Sequence, residues 1–343
     1  MINEIIEGNS EIKLCNINDE FIDLTITSPP YDNLRNYNSL FNIKVICKEL
    51  YRVTRNGGII VWIISDSYKN GSETGTSYEH ILAFMEAGFK LHDTMIYEKM
   101  SSSYPSPVKG KRYSQIFEFM WVFSKGIPLK ARLLCDKPNK WAGYTNWGKN
   151  TNRMANGALI ETNDIKPVAE YSPRNNIWKY TVGSGFGTKD KNAHKHPAVF
   201  PELLVSDHIM SWSEIGDIVL DPFSGSGTTC IQAKKYGRNY IGIEIDSEYV
   251  KLSKKRLEDI IKLNDVSFET YQEKLRQRKF DESSRELIKN IVISKKFRDN
   301  IPSITNNLLN DSEFQEEIIN YINSLIETKK LNPVDYKKSE KII

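Results

Sequence analysis

The chain has 343 residues, 39% apolar and 27% charged, which allows one large domain or two ordinary ones at about 100–200 residues each. These values exclude a disordered chain, a collagen-like repeat and a coiled-coil array, and no run approaches the roughly 18 consecutive apolar residues of a membrane span. The net charge of +3 is too small by itself to announce a nucleic-acid binder.

In chain order, MINEIIEGNSEIK lacks the basic-then-apolar layout of a secretion signal. Ile5-Ile6-Glu7 reads as a short strand stopped by Gly8-Asn9, and residues 21–27 (FIDLTIT) as a buried strand ending at Ser28-Pro29-Pro30. A helical stretch, IKVICKELYRV, runs to a stop at Asn56-Gly57-Gly58, and Ile59 to Ser65 is the most apolar run and a central strand. A helix near Tyr78–Ala87 and strands near Lys90–Tyr97 and Glu118–Ser124 follow. Strands alternating with helices predict an α/β fold with a mostly parallel sheet.

From Lys125 to about Gly187 periodicity dissolves, and Trp141, Tyr144, Trp147, Tyr171, Trp178 and Tyr180 stand among Lys, Asn and Gly. Charge gathers in the same place: Lys125 to Lys195 holds 13 Lys/Arg against 5 Asp/Glu, whereas Lys255 to the end holds 17 against 16. A basic segment in a balanced chain is a local electrostatic footprint. The alternation resumes with a helix over Glu202–Trp212, a strand at Ile218–Leu220, a Gly-rich turn, a helix, and a strand at Tyr240–Glu244. Beyond Asp246, an N-cap, the chain reads as helical, with Ile318, Ile319, Ile322, Leu325 and Ile326 on one helical face. The cysteines (Cys15, Cys47, Cys135, Cys230) form no CxxC pair, which suggests neither a zinc knuckle nor a disulfide framework and fits a reducing, cytoplasmic setting. His194 and His196 have no Cys, Asp or Glu at ligand spacing, so no metal is expected.

Two motifs carry chemistry. Ser28-Pro29-Pro30-Tyr31 stands where a buried strand ends, the place where open α/β sheets bind ligands. Consecutive prolines remove two N–H groups, so the loop presents carbonyls and the Ser28 hydroxyl as acceptors, followed by the flat face of Tyr31. Such a loop suits a planar group carrying an amine; a plain surface turn is the competing reading. The second motif, Asp221-Pro222-Phe223-Ser224-Gly225-Ser226-Gly227-Thr228-Thr229, joins a strand to a helix. Its glycines let a ligand approach the backbone at a helix N-terminus, and no Lys follows the second Gly to make it a P-loop. Glu244 ends the next strand, at the spacing of an acid that holds ribose hydroxyls. A tight turn without a ligand is again the alternative.

Together these residues resemble the S-adenosylmethionine-dependent amino-group DNA methyltransferases, with a TSPPY-type catalytic loop first and a DPFxGSGTT cofactor loop near the C-terminal end. That is the circularly permuted order of the family's beta group. His196–Leu204 (HPAVFPELL) is similar to the family's remaining cofactor-side motif. The likeness covers residues 1 to about 262 and fades across 126–180. It implies a Rossmann-like methyltransferase fold with an inserted target-recognition region and a helical C-terminal tail. The expected divisions are a catalytic half (1–125), a recognition region (126–187), a cofactor-binding half (188–264) and an appendage of open role (265–343).

Carried over by resemblance, Ser28, Pro29, Pro30 and Tyr31 handle the target base. Asp221, Phe223, Ser224, Gly225, Gly227, Thr228 and Glu244 hold S-adenosylmethionine, with Phe200 against it. Where the family often has Gly-Asp near its N-terminus this chain has Gly8-Asn9, and Asn9 is the candidate for the adenine edge because Asn also accepts or donates a hydrogen bond. Expected DNA contacts are Lys109, Lys111 and Arg112 in the Ser101–Gln115 loop, and Lys137, Lys140, Arg153 and Arg174 in the basic segment, where cations meet phosphate and polar groups read base edges.

The implied reaction is methylation of an exocyclic amine on a base flipped from double-stranded DNA. Ser at position 28, rather than Asp, resembles the N4-cytosine enzymes; N6-adenine is the alternative, and a catalytically silent DNA-binding module is the rival of another class. A cognate restriction endonuclease is a possible partner, and the sequence leaves the oligomeric state open.

Overall fold

The computed structural model describes residues 2–30, 41–99, 113–145, 150–162, 167–181, 201–258, 260 and 266–293. Two compact units emerge: residues 1–134 with 174–268, and residues 135–173 with 269–343.

The first unit begins with β1 (Glu4–Glu7), α1 (Ser10–Lys13) and β2 (Ile22–Thr27). Helix α2 (Ile43–Val53) follows, capped by the Asn42 side chain, which accepts from the Lys44 N–H. Its buried residues Ile46, Cys47, Leu50 and Val53 recur at the spacing of one helical face. The helix covers the expected stretch and ends at Val53, where β3 (Thr54–Ile64) starts at once, ahead of Asn56-Gly57-Gly58. Gly57 and Gly58 lie inside β3, where pairing with β2 slips between Ile22 and Leu24. Gly57 has φ +81°, and a β-carbon there would fall 2.3 Å from Leu129 Cγ, so the irregularity requires glycine.

A hairpin of β4 (Tyr68–Lys69) and β5 (Ser72–Glu73) leads to α3 (Thr76–Glu86), β6 (Lys90–Lys99) and β7 (Phe117–Ser124). In the second unit β8 (Lys137–Pro138) pairs with β11 (Tyr171–Ser172), and β9 (Asn150–Arg153) with β10 (Leu159–Thr162), both antiparallel. The chain re-enters the first unit with β12 (Ile177–Tyr180), then α4 (Glu202–Trp212), β13 (Ile218–Asp221), α5 (Thr228–Lys235), β14 (Asn239–Glu244) and α6 (Ser247–Glu258). Helix α7 (Phe268–Ile293) continues into the second unit. The apolar tail stretch around Ile318–Ile326 lies outside the described residues.

Eight strands form one sheet in the order β1-β14-β13-β2-β3-β7-β6-β12. Pairing is parallel from β1 to β3, antiparallel on both sides of β7, and parallel again between β6 and β12. β12 is the element that sequence periodicity does not find. Four residues are too few for a periodic signal, yet Trp178 and Tyr180 are buried while Ile177 and Lys179 are exposed, as on a strand with one face covered.

Ile60, Trp62 and Ile64 of β3 join Ile218, Leu220, Ile241 and Ile243 in a core closed by α2 and α3. On the other face α4 and α5 pack on each other, α4 against β2 and α5 against β13 and β14. Burial on both faces accounts for the unbroken apolar run of β3. Among the described residues no helix is long and apolar enough to cross a membrane.

Candidate active site

Because β1, β14, β13, β2 and β3 run parallel, their carboxyl ends share one edge of the sheet. At that edge lie Gly8-Asn9, Glu244, Asp221, Thr27-Ser28 and Ser65-Asp66. Both sequence motifs therefore meet at one place. The order of strands brings them together, since β13 lies directly beside β2.

The loop after β13 is held from every side. The Ser224 N–H donates to the Ile243 carbonyl at 2.9 Å and the Gly227 N–H to the Ser224 carbonyl at 2.7 Å. Ser10 Oγ donates to the Pro222 carbonyl, and Ser253 Oγ to the Gly225 carbonyl at 2.7 Å. The buried guanidinium of Arg256 donates to the Ser226 carbonyl. Gly227 caps α5 with φ +81°, and a β-carbon there would come within 2.9 Å of Ser253 Cβ. Thr228 opens α5, and the Phe223 ring packs against Phe41 at 4.9 Å and Trp62 at 6.1 Å. Ser10, Ser253 and Arg256 carry no motif signal; they are a short N-terminal helix and a late helix brought to the loop by folding.

Two carboxylates face the loop. Glu244 accepts the Gly225 N–H at 2.7 Å and the Asp246 N–H at 2.9 Å. Burial raises its pKa above the ordinary carboxylate range, against the opposing effect of these hydrogen bonds. Asp221 Oδ1 accepts Thr27 Oγ1 at 2.6 Å and the Phe223 N–H at 3.1 Å. Burial pushes its pKa up to about 6, with the Thr27, Thr229 and Phe223 hydrogen bonds acting the other way.

The edge fits a cationic adenosine cofactor. Asp221, 2% exposed, makes no ion pair with a cation among the described residues. Ser224 Oγ is buried with no hydrogen-bond partner among them, a cost that a bound polar ligand would relieve. Asn9 stands at the end of β1, its Gly8 neighbour bonded to the Glu244 carbonyl at 2.8 Å. The Asn9 side chain caps α1 by accepting the Glu11 N–H at 2.7 Å.

On the catalytic side, Ser28 and Pro30 are half-buried and Pro29 is buried directly after β2. Tyr31 and Phe200 lie outside the described residues, as do His194, His196, Lys109, Lys111 and Arg112. Gln115 Nε2 donates to Ser65 Oγ at 2.9 Å beside this loop. Among the described residues no group of three His, Cys, Asp or Glu could hold a metal ion.

The expected DNA contacts divide. Lys137 is exposed on β8, Arg153 is exposed at the end of β9, and Lys140 lies over the half-exposed Trp141 ring at 5.4 Å. Arg174 is a correction. Its side chain is 12% exposed, pairs with the fully buried Asp207 at 2.6 Å and lies over the Trp178 ring at 5.1 Å. Tyr180 Oη donates to the same Asp207 oxygen at 2.6 Å. A guanidinium committed to a buried carboxylate holds β12 to α4 and is not a phosphate contact.

A parallel-sheet edge with a glycine turn opening a helix, and an acid at the end of the next strand, defines a Rossmann-like fold with a site for an adenosine cofactor. Residues 22–255 match the family model for N6/N4 DNA methylases, more than half of the chain. The chain belongs to that family and is an S-adenosylmethionine-dependent DNA amino-methyltransferase. It is 49% identical over 250 residues to the orphan methyltransferase M.BamHII of Bacillus amyloliquefaciens, a match spanning 73% of this chain and 93% of that one. It is 32% identical to the type II methyltransferase M2.DpnII of Streptococcus pneumoniae, over 58% and 60% of the two chains. The fold is shared with the PvuII DNA methyltransferase, described as cytosine-N4-specific, at a TM-score of 0.52 and 22% identity over 80% of this chain and 91% of that one. It is shared too with a Thermus thermophilus protein solved in complex with S-adenosyl-L-methionine, at 0.50 and 20% identity over 74% and 92%.

Proposed function

We propose that this methyltransferase modifies N4 of a cytosine flipped out of duplex DNA at one short recognition site. The observation that carries the reading is the juxtaposition of Ser28-Pro29-Pro30 with the glycine loop, bridged by Thr27 and Asp221.

An exocyclic amine is a poor nucleophile because its lone pair is delocalised into the ring. The Ser28 hydroxyl and the Pro29 carbonyl accept hydrogen bonds from its two N–H groups, which favours a pyramidal nitrogen and restores the lone pair. Tyr31 stacks on the base. Pro29 and Pro30 stiffen the loop, so the acceptors are aimed before the base arrives. When bound, S-adenosylmethionine supplies an activated sulfonium methyl. Asp221 provides negative charge facing that cation, Glu244 accepts from the ribose hydroxyls, and Asn9 and Phe200 take the adenine side. Gly225, Gly227 and Thr228 let the cofactor approach the start of α5, Ser224 gives it a hydroxyl, and Phe223 braces the loop. The enzyme's main contribution is positioning and electrostatic fit.

The base preference rests on Ser28, a neutral hydroxyl. Recognition falls to the second unit, where Lys137, Lys140 and Arg153 meet phosphate, and to the loop with Lys109, Lys111 and Arg112. The type II relative supports a role as the modification component of a restriction-modification system, acting on DNA in the cytoplasm. The test is modification-aware long-read sequencing of DNA from a methylation-free host expressing the chain, with Ser28→Ala as control. N4-methylcytosine at one motif, lost in the control, is the expected result. N6-methyladenine overturns the choice of base, and no mark overturns the site-specific activity.

A further inference from the structure

Thr27 immediately precedes Ser28, and Asp221 immediately precedes the glycine loop, yet the two residues are 194 positions apart. The parallel ladder between β2 and β13 is in register at Val219–Leu24 and Leu220–Thr25. Beyond it, side chains take over. Thr27 Oγ1 donates to Asp221 Oδ1 at 2.6 Å, and Thr229 Oγ1, in the first turn of α5, donates to the Ile26 carbonyl at 3.3 Å. Thr27 is fully buried in a strand whose other members include Ile22, Leu24 and Ile26. A valine would fill the same space there and suit a buried strand at least as well. The hydroxyl therefore answers to something other than packing, and its partner is the carboxylate of the cofactor loop.

We propose that Thr27 is a positioning residue: its hydrogen bond to Asp221 ties the seating of the S-adenosylmethionine loop to the aim of Ser28. This rests on the reading that Ser28 handles the target amine. Phe223 shares the same oxygen through its N–H, so a shift of the carboxylate moves the loop on one side and the end of β2 on the other. The ends of β2 and β13 then respond together when the cofactor enters.

Among the described residues, the groups facing Asp221 are few. From β2 there is the Thr27 hydroxyl; from α5, the Thr229 hydroxyl and the Cys230 thiol, kept protonated by burial; from β14, the Glu244 carboxylate, whose charge raises Asp221 further. A hydrogen bond to a carboxylate favours its charged form. Losing the Thr27 hydroxyl therefore moves the Asp221 midpoint upward from about 6.

The experiment compares Thr27→Val, which removes the hydroxyl and keeps the volume, with Thr27→Ser, which keeps the hydroxyl. Three readouts are taken: a carbon-13 carboxyl titration of the cofactor-free chain, with Asp221 assigned through Asp221→Asn; cofactor affinity by calorimetry; and single-turnover methyl transfer to duplex DNA at saturating cofactor. In Thr27→Val the midpoint is expected to rise by about one pH unit, and the single-turnover rate to fall about 10- to 100-fold, as a small misplacement of reacting groups does. Thr27→Ser should recover both to within about threefold. An unchanged midpoint in Thr27→Val overturns the proposal, and so does an equal rate loss in the serine and valine variants, which would mean packing. If the valine variant does not fold, Thr27→Ala is read by the same criteria. A wild-type chain that binds cofactor and methylates DNA equally well with Ser28→Ala removes the underlying reading of Ser28. A Thr27→Val protein that matches an active wild type removes the coupling alone.

Discussion

The cofactor edge of the main sheet and the segment 135–173 are built on opposite plans. At the edge, the loop after β13 is held by a backbone bond from the neighbouring strand and by buried groups such as Arg256 and Ser253. In the segment, strands of two to four residues pair in twos, and Trp141 and Leu159 are 53% and 60% exposed. On the proposed function, the difference is one of task. Transferring a methyl from a fixed donor needs one geometry, which a rigid parallel sheet supplies. Reading a DNA sequence needs side chains on a surface that a partner can cover, which short hairpins supply with little core of their own.

The sharpest way to break that comparison is at the edge. Asp221→Ala should weaken S-adenosylmethionine binding by about 100-fold or more, since it removes a buried charge and two hydrogen-bond acceptor contacts. Near wild-type affinity by calorimetry would remove Asp221 from the cofactor site. Ser28→Ala should lower the single-turnover rate about 10- to 100-fold while leaving cofactor affinity within about twofold. A matched loss in both would mean that the catalytic loop is not separable from the cofactor loop.

Arg174 tests where the second unit ends. Arg174→Ala removes the cation paired with the buried Asp207 carboxylate and should cost about 3 kcal/mol of stability, read by denaturant melting, with no change in the salt dependence of DNA binding. A smaller salt slope at unchanged stability would return Arg174 to the DNA interface.

The Asp221 titration gives a milder, pH-dependent effect. In the free chain its midpoint is about 6, and a cationic cofactor favours the carboxylate, so the bound midpoint lies lower. Affinity is then full above pH about 6 and declines as pH falls through it, by at most about tenfold per unit. A flat calorimetric profile from pH 5 to 8 would contradict this. The smallest effects belong to the exposed cations. Alanine at Lys137, Lys140 or Arg153 should each reduce the salt slope of DNA binding by about one, with cofactor affinity unchanged.

Most elements of the first unit were legible because they show a period or are apolar runs bounded by turn residues. Helix α2 has its 3.6-residue stripe of Ile46, Leu50 and Val53, and β3 its unbroken apolar run. The candidate site was legible for a different reason: prolines and glycines at fixed spacing mark loops whose backbones must do something unusual. Arg174 was misread because its meaning depends on Asp207, which lies 33 residues away. Nothing local distinguishes an arginine facing a buried acid from one facing phosphate. β12 escaped because four residues cannot establish a period against an irregular background.

By itself the sequence determined the class of fold and marked the two loops, since periodicity and turn chemistry are local, and the cofactor followed from the family resemblance that those loops carry. Only the tertiary structure decided which strands are neighbours. It put Thr27 within hydrogen-bond reach of Asp221, brought Arg256 and Ser253 to the glycine loop, and turned Arg174 inward. Those contacts join residues separated by up to 194 positions. Local propensity carries no record of such distances; they follow from parallel strands sharing one edge and from a core that closes on both faces of the sheet.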